Sequence, residues 1–327
     1  MAEIDRNARI YVAGHLGLVG GAIVRALKRT GFKNLVLRPR AELDLMCRAS
    51  VDRFFRSERP EYVYLAAARV GGIYANNSFP AEFLYQNLTI QNHVIDAAYQ
   101  HEVKKFAFLG SSCIYPKFAD QPISEDSLLT GTLERTNEAY AVAKIAGIKL
   151  CEAYHRQYRF NAISIMPTNL YGPGDNFDLE TSHVVPALIR KAHEAKVFNT
   201  PGFSVWGSGE PLRELLHVDD LADACLFLMD NYDDPALINV GCGEDISIRT
   251  LAGTVADVVG YTGDLKYDSS RPDGTPRKVL DVSRLFGLGW TPRIALREGL
   301  NRPMNGMFLT VVRSRRSNAK DKPNVHL

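Results

Sequence analysis

The chain has 327 residues, 46% of them hydrophobic and 23% charged, and a formal charge of +2. That length can bury one large core or two smaller ones, and the near-neutral balance excludes a protein built around nucleic acid. No uninterrupted apolar run could span a bilayer, and Met1-Ala2-Glu3-Ile4-Asp5 carries acids where a signal peptide needs an apolar stretch, so a cytoplasmic protein is expected.

Five cysteines (Cys47, Cys113, Cys151, Cys225, Cys242) are scattered and never form a Cys-x-x-Cys pair. That suits a reducing compartment and argues against structural zinc, and the eight histidines show no ligand spacing either, so no metal is expected. The only locally basic segment is Arg313-Ser314-Arg315-Arg316, which reads as a solvated tail.

In chain order, Arg9 to Ala13 is a short apolar run leading into Gly14-His15-Leu16-Gly17-Leu18-Val19-Gly20, after which Ala22 to Leu27 reads helical. Strand, glycine turn and helix in that order make a dinucleotide cradle. The glycines let backbone approach a pyrophosphate, and the helix N-terminus offers free N–H groups. The second strand, Asn34 to Leu37, is followed by Arg38 and Arg40 where an acid would grip the ribose of NAD. Guanidinium groups there suit a 2′-phosphate, so NADP(H) is expected.

Ser50 then opens a short helix, Tyr62 to Ala66 is a third strand, and a helix from Pro80 to about Gln100 leads to the strand Phe106 to Leu109. That strand delivers Gly110-Ser111-Ser112-Cys113 on the side of the glycine loop. Thr136-Asn137 caps the next helix, on which Tyr140 and Lys144 share one face. A lysine ammonium beside a phenol lowers the phenol pKa toward neutrality, so Tyr140 could exchange a proton with an alcohol or ketone oxygen, Ser111 bonding to it.

After the strand Ala162 to Met166, Pro167 to Gly174 supplies turn residues and the regular alternation loosens. His183 precedes a helix from Val184, Asp219-Asp220 caps another, Ile238 to Gly241 is strand-like, and Ser247 starts a helix ending at Gly260. Arg271 to Lys278 is a polar loop rich in anion ligands. The expected fold is α/β: a doubly wound parallel (Rossmann) sheet with a smaller α/β substrate lobe. The first is expected at 1–171 plus about 218–240, the second at about 172–217 plus 241–312, with 313–327 as the tail.

Four segments carry a resemblance: Gly110 to Pro116, Thr136 to Tyr140, Met166 to Pro173 and Pro272 to Lys278. They are similar to the extended short-chain dehydrogenase/reductase family, over about residues 8 to 310, and to those members that act on GDP-4-keto-6-deoxy-D-mannose. The resemblance implies an NADPH-dependent enzyme that epimerises the sugar at C3 and C5 and then reduces C4, working as a homodimer through the helices 80–100 and 137–158. It implies Ser111, Tyr140 and Lys144 as the reductase triad and Cys113 with His183 as the proton-transfer pair; a thiolate base needs a nearby positive charge, which His183 is expected to supply. Gly14 to Gly20, Arg38, Arg40, Leu109, Gly110, Ser112, Lys144, Pro167, Thr168, Asn169, Leu170 and His183 would meet the cofactor. Lys191, Trp206, Arg213 and Asp273 would meet the GDP-sugar.

Many members carry arginine at the position of Leu16, which leaves Arg38 and Arg40 to hold the 2′-phosphate, and Lys191 is arginine in some. Two other readings stay open. One is a nucleotide-sugar 4-reductase or 4-epimerase, in which Cys113 is a small buried hydrophobe and His183 a helix-cap neighbour. The other is a catalytically silent NADP-binding sensor or scaffold.

Overall fold

The computed structural model describes residues 3–179, 181–271 and 273–302; the basic tail expected at 313–327 lies outside them. The first half runs β1 (Ile10–Ala13), α1 (Leu18–Arg29), β2 (Leu35–Val36), α2 (Arg48–Glu58), β3 (Tyr62–Leu65), α3 (Ile73–Ser78), α4 (Pro80–Gln100), β4 (Lys105–Leu109), α5 (Glu138–Tyr158) and β5 (Ala162–Pro167). The second half runs β6 (Asn169–Tyr171), α6 (Val184–Val197), β7 (Gly202–Trp206), β8 (Leu212–His217), α7 (Val218–Asn231), β9 (Ile238–Val240), β10 (Asp245–Ser247), α8 (Ile248–Val259), β11 (Asp264–Asp268), β12 (Arg277–Lys278) and α9 (Ser283–Gly287).

Six strands form one parallel sheet in the order β2-β1-β3-β4-β5-β9. Helices cover both faces, so the central strands are mostly apolar rather than alternating, and β1, β4 and β5 are buried at every position. On one face Val51, Phe54 and Phe55 of α2 pack with Val94 and Ala98 of α4 and Ile148 of α5. On the other, Ile23 and Leu27 of α1 meet Leu221 and Leu228 of α7. Lys105 is the one charge in β4; its Nζ pairs with Asp233 at 2.7 Å and donates to the Met229 carbonyl at 2.8 Å, near the C-terminal end of α7 where a cation is favoured.

A second, mixed sheet joins β10, β8 and β12, with β6 also paired to β8, and β7 pairs separately with β11. Val185, Leu188 and Ala192 of α6, Leu251 and Val255 of α8, and Phe203 and Val205 of β7 make its core.

Several expected boundaries shift; His217, not Asp219-Asp220, caps α7, accepting from the Asp219 N–H. The second strand shortens to Leu35–Val36, and α2 begins at Arg48 with Cys47 as its N-cap, so Ser50 lies inside the helix. Asn137 occupies the N-cap of α5 but its side chain makes no capping bond. The stretch after Pro167, read as a turn, contains β6: residues 169–171 belong to the second sheet because β8 offers them a partner edge.

Candidate active site

The cradle expected at the N-terminus is built by close backbone approach. Gly14 adopts φ 86°, and a Cβ there would stand 2.7 Å from the Ala67 nitrogen; a Cβ on Gly20 would stand 2.2 Å from the Gly14 carbonyl oxygen. Only glycine fits either position. Gly17 caps α1 without a side chain, leaving the N–H groups of Leu18, Val19 and Gly20 free of side-chain caps at the positive end of the helix. His15 joins this loop, and Leu16 is 77% exposed beside it. Such a cradle fits a dinucleotide pyrophosphate.

Arg38 follows β2 as expected, but its guanidinium is engaged: Nη2 meets Glu58 at 2.6 Å and Nη1 donates to the Leu37 carbonyl at 3.0 Å. Arg40 is exposed, 3.9 Å from Asp44.

Leu109 ends β4 and passes the chain to Gly110, whose absent Cβ makes room for the Met166 side chain of β5. Ser111 then caps a short 3-10 turn over Ser112 to Ile114. Its hydroxyl accepts from the Cys113 N–H at 3.5 Å and lies close enough to the Tyr140 hydroxyl and the Cys113 thiol to pull both pKa values down. Tyr140 and Lys144 rise from one face of α5, with Lys144 Nζ 5.8 Å from the Tyr140 ring centre. Four of the five residues expected in catalysis are thus brought together beyond the carboxyl end of β4.

Their electrostatics correct two expectations. Tyr140 is not drawn toward neutrality: burial raises its pKa well above the ordinary phenol value, a Cys113 thiolate would raise it further, and only the Ser111 hydrogen bond opposes this. Lys144 donates one of its N–H groups to the Leu109 carbonyl at 2.7 Å, and burial lowers its own pKa to about 8.

His183 stands at the N-cap of α6, with part of its surface exposed and protein atoms packed around the rest. Burial among protein atoms lowers its pKa, and the charge of Lys278 lowers it further, so it is neutral at neutral pH. It cannot supply the positive charge beside Cys113. Burial raises the thiol pKa, and the cations that pull it back are Lys278 first and Lys144 after it. Lys278 is the functional group the sequence reading did not single out. Its signal was the polar loop ending at it, but its place depends on β12 pairing with β8, which sets Lys278 opposite Arg213.

Pro167 ends β5 and Thr168 donates from its backbone to Val240 at 3.0 Å. Asn169 donates to the Glu214 carbonyl at 2.9 Å, and Leu170 follows in β6. Across the cleft Trp206 is 51% exposed between two cations, Lys191 Nζ at 5.1 Å and Arg271 Cζ at 5.0 Å from its ring. Arg213 donates to the Asp273 carbonyl at 3.2 Å, while the Asp273 carboxylate is held by the backbone and hydroxyl of Ser208 at 2.7 and 2.8 Å. These four form a separate cationic and aromatic wall. Among the described residues no group of three or more His, Cys, Asp or Glu side chains could hold a metal ion, and no helix is long and apolar enough to cross a membrane.

A parallel sheet with a glycine cradle at β1 and a Ser-Tyr-Lys set beyond β4 defines a nicotinamide-dependent oxidoreductase of the short-chain type. The chain belongs to the NAD dependent epimerase/dehydratase family, matched over residues 10–241. It is 61% identical to GDP-L-fucose synthase 1 of Arabidopsis thaliana over 91% of this chain and 92% of that one. It is 57% identical to GDP-L-fucose synthase of Escherichia coli (strain K12) over 89% and 94% respectively. Among solved structures, a GDP-L-fucose synthetase from Naegleria fowleri bound to NADP superimposes with a TM-score of 0.88 at 29% identity, covering 95% of this chain and 97% of that one.

Proposed function

We propose that this chain converts GDP-4-keto-6-deoxy-D-mannose to GDP-L-fucose, epimerising C3 and C5 and then reducing C4 with NADPH. The observation that carries the reading is the clustering of Ser111 with Tyr140 and Cys113, whose N–H it accepts at 3.5 Å, which joins reduction chemistry to a base in one site. Bound NADPH supplies the hydride.

The C4 ketone acidifies the protons on C3 and C5. Burial keeps Cys113 mainly a thiol, and its minor thiolate form, favoured by the charge of Lys278, takes such a proton; the electron pair moves onto the ketone oxygen, and Ser111 and Tyr140 hold that oxygen. Neutral His183 relays a solvent proton to the opposite face, its one ring nitrogen accepting from water as the other donates, and the centre is inverted. The raised pKa of Tyr140 keeps its proton in place during these steps, so it remains available to the C4 alkoxide at reduction. Gly14 to Gly20, Arg38, Arg40 and residues 167–170 are read as cofactor contacts, with Lys144 on the ribose. Lys191, Trp206, Arg213 and Asp273 are read as GDP contacts.

Residues 1–171 with 218–240 are read as the cofactor domain and the remainder to 312 as the substrate lobe. Five free cysteines, Cys47 exposed among them, support a reducing cytoplasm. Exposed Tyr85 on α4 and Val142 on α5 support a homodimer through those helices.

The test is turnover of GDP-4-keto-6-deoxy-D-mannose with NADPH in deuterated water. Deuterium at both C3 and C5 of a C4-reduced sugar is expected. NADPH consumption without exchange would make the protein a simple 4-reductase, and no consumption would make it a silent binder.

A further inference from the structure

Arg38 turns all three of its guanidinium nitrogens toward the protein. Nη2 lies 2.6 Å from Glu58, Nη1 donates to Leu37 at 3.0 Å, and Nε is 3.9 Å from Glu42. A bidentate contact to phosphate needs two N–H groups on one edge of this fork, so a 2′-phosphate cannot take its best geometry while Glu58 holds its place. The pair is not a loose surface contact: the side chains are 36% and 26% exposed, and water screens them incompletely.

The neighbouring groups offer little relief. Arg40 is 78% exposed with Asp44 at 3.9 Å, and Leu16 brings no charge. A cavity of about 550 Å³ beside Arg38 is lined by Glu42, Ser50, Arg53, Arg56 and Ser57. Arg53 donates to Ser50, and neither Arg53 nor Arg56 has a carboxylate partner among the described residues. The region therefore attracts an anion while its foremost ligand is already occupied by a carboxylate of this chain.

We propose that Glu58 competes with the cofactor's 2′-phosphate for Arg38 and so sets how strongly NADPH is preferred over NADH. The inference rests on the reading that Arg38 receives the 2′-phosphate. Glu58 is displaced when NADPH binds and keeps its place when NADH binds, so its carboxylate weakens one coenzyme and not the other.

The experiment uses the full chain without sugar. Dissociation constants for NADPH and NADH are measured by nicotinamide fluorescence, and for 2′-phospho-ADP-ribose and ADP-ribose by calorimetry. Glu58→Gln is expected to tighten NADPH and 2′-phospho-ADP-ribose about tenfold and to leave the other two unchanged. Glu58→Ala should move them in the same direction. Unchanged or weaker NADPH binding, or equal tightening of both coenzymes, would overturn the proposal. In an Arg38→Ala background the Glu58→Gln effect should vanish. If Arg38→Ala itself leaves NADPH binding untouched, the phosphate assignment fails, a result distinct from an inert Glu58.

Discussion

Lys144 holds its ammonium 5.8 Å from the ring centre of Tyr140 and donates one N–H to the Leu109 carbonyl at 2.7 Å. The lysine therefore does not ionise the phenol. It is the titrating member of the pair near neutral pH, with a pKa lowered by burial to about 8, while burial holds Tyr140 protonated beyond its ordinary range.

The first prediction follows from that order. C4 reduction, followed as NADPH oxidation in single turnovers, should fall as pH rises through about 8, because Lys144 loses its charge there while Tyr140 keeps its proton. Lys144→Arg, always charged, should carry the plateau to higher pH even if its absolute rate is lower. Tyr140→Phe should lose about 10² to 10⁴ in rate at every pH. A basic limb that stays at pH 8 in the arginine variant would assign it to another group.

Lys278 acts on two groups in ways that can be separated. It pulls the Cys113 thiol down and also pulls His183 down, so Lys278→Met should raise both pKa values. The pH profile of iodoacetamide labelling at Cys113, read by peptide mass spectrometry, and the imidazole shifts of His183 in NMR report them independently. Movement of neither would remove Lys278 from the site. Cys113→Ser should abolish deuterium uptake at C3 and C5 while NADPH still binds.

Asp175 carries a stability cost. Its Oδ2 is buried without a hydrogen-bond partner among the described residues, and burial raises its pKa from 3.8 to about 7. Between those values the native state binds more protons than the unfolded chain, so stability should fall as pH rises through that window. Asp175→Asn should remove the slope and stabilise the protein above neutral pH by ~1–3 kcal/mol, discounted for partial exposure. Urea midpoints at pH 5 and 8 decide it: an equal difference from wild type at both would refute the assignment.

Leu16→Arg adds a guanidinium beside the glycine loop, where Leu16 is now 77% exposed. It should tighten NADPH by roughly 1–3 kcal/mol and leave NADH unchanged. No change for either coenzyme would place the 2′-phosphate away from this loop.

Local signals were legible before the structure. The helix bounded by Ser247 and Gly260 is one case: Ser247 caps Thr250 at 3.0 Å and Gly260 takes φ 71°, both short-range requirements. Glycine cradle, β4 and the Tyr140–Lys144 face were legible for the same reason. What escaped depends on partners distant in sequence. Residues 169–171 become a strand only because β8 lies beside them, and Asn137 looks like a cap until its side chain is placed. Glu58 could not be assigned to Arg38 from spacing alone, nor Lys278 to Cys113, because both pairings are made by tertiary packing.

Only Thr168 separates β5 of the parallel sheet from β6 of the mixed one, and β8 passes into α7 without a break at His217–Val218. Further on, Ile123 bridges to Leu280. The parallel sheet's last strand, Ile238–Val240, comes after β6 and β8 of the mixed sheet and before β10 and β12. On the ribosome the first sheet therefore waits for its closing strand until β7 and β8 have already emerged, so it cannot close before part of the second half is made. Heating the purified protein should give one cooperative transition, and a fragment stopping at residue 171 should expose the β5 edge and aggregate rather than fold.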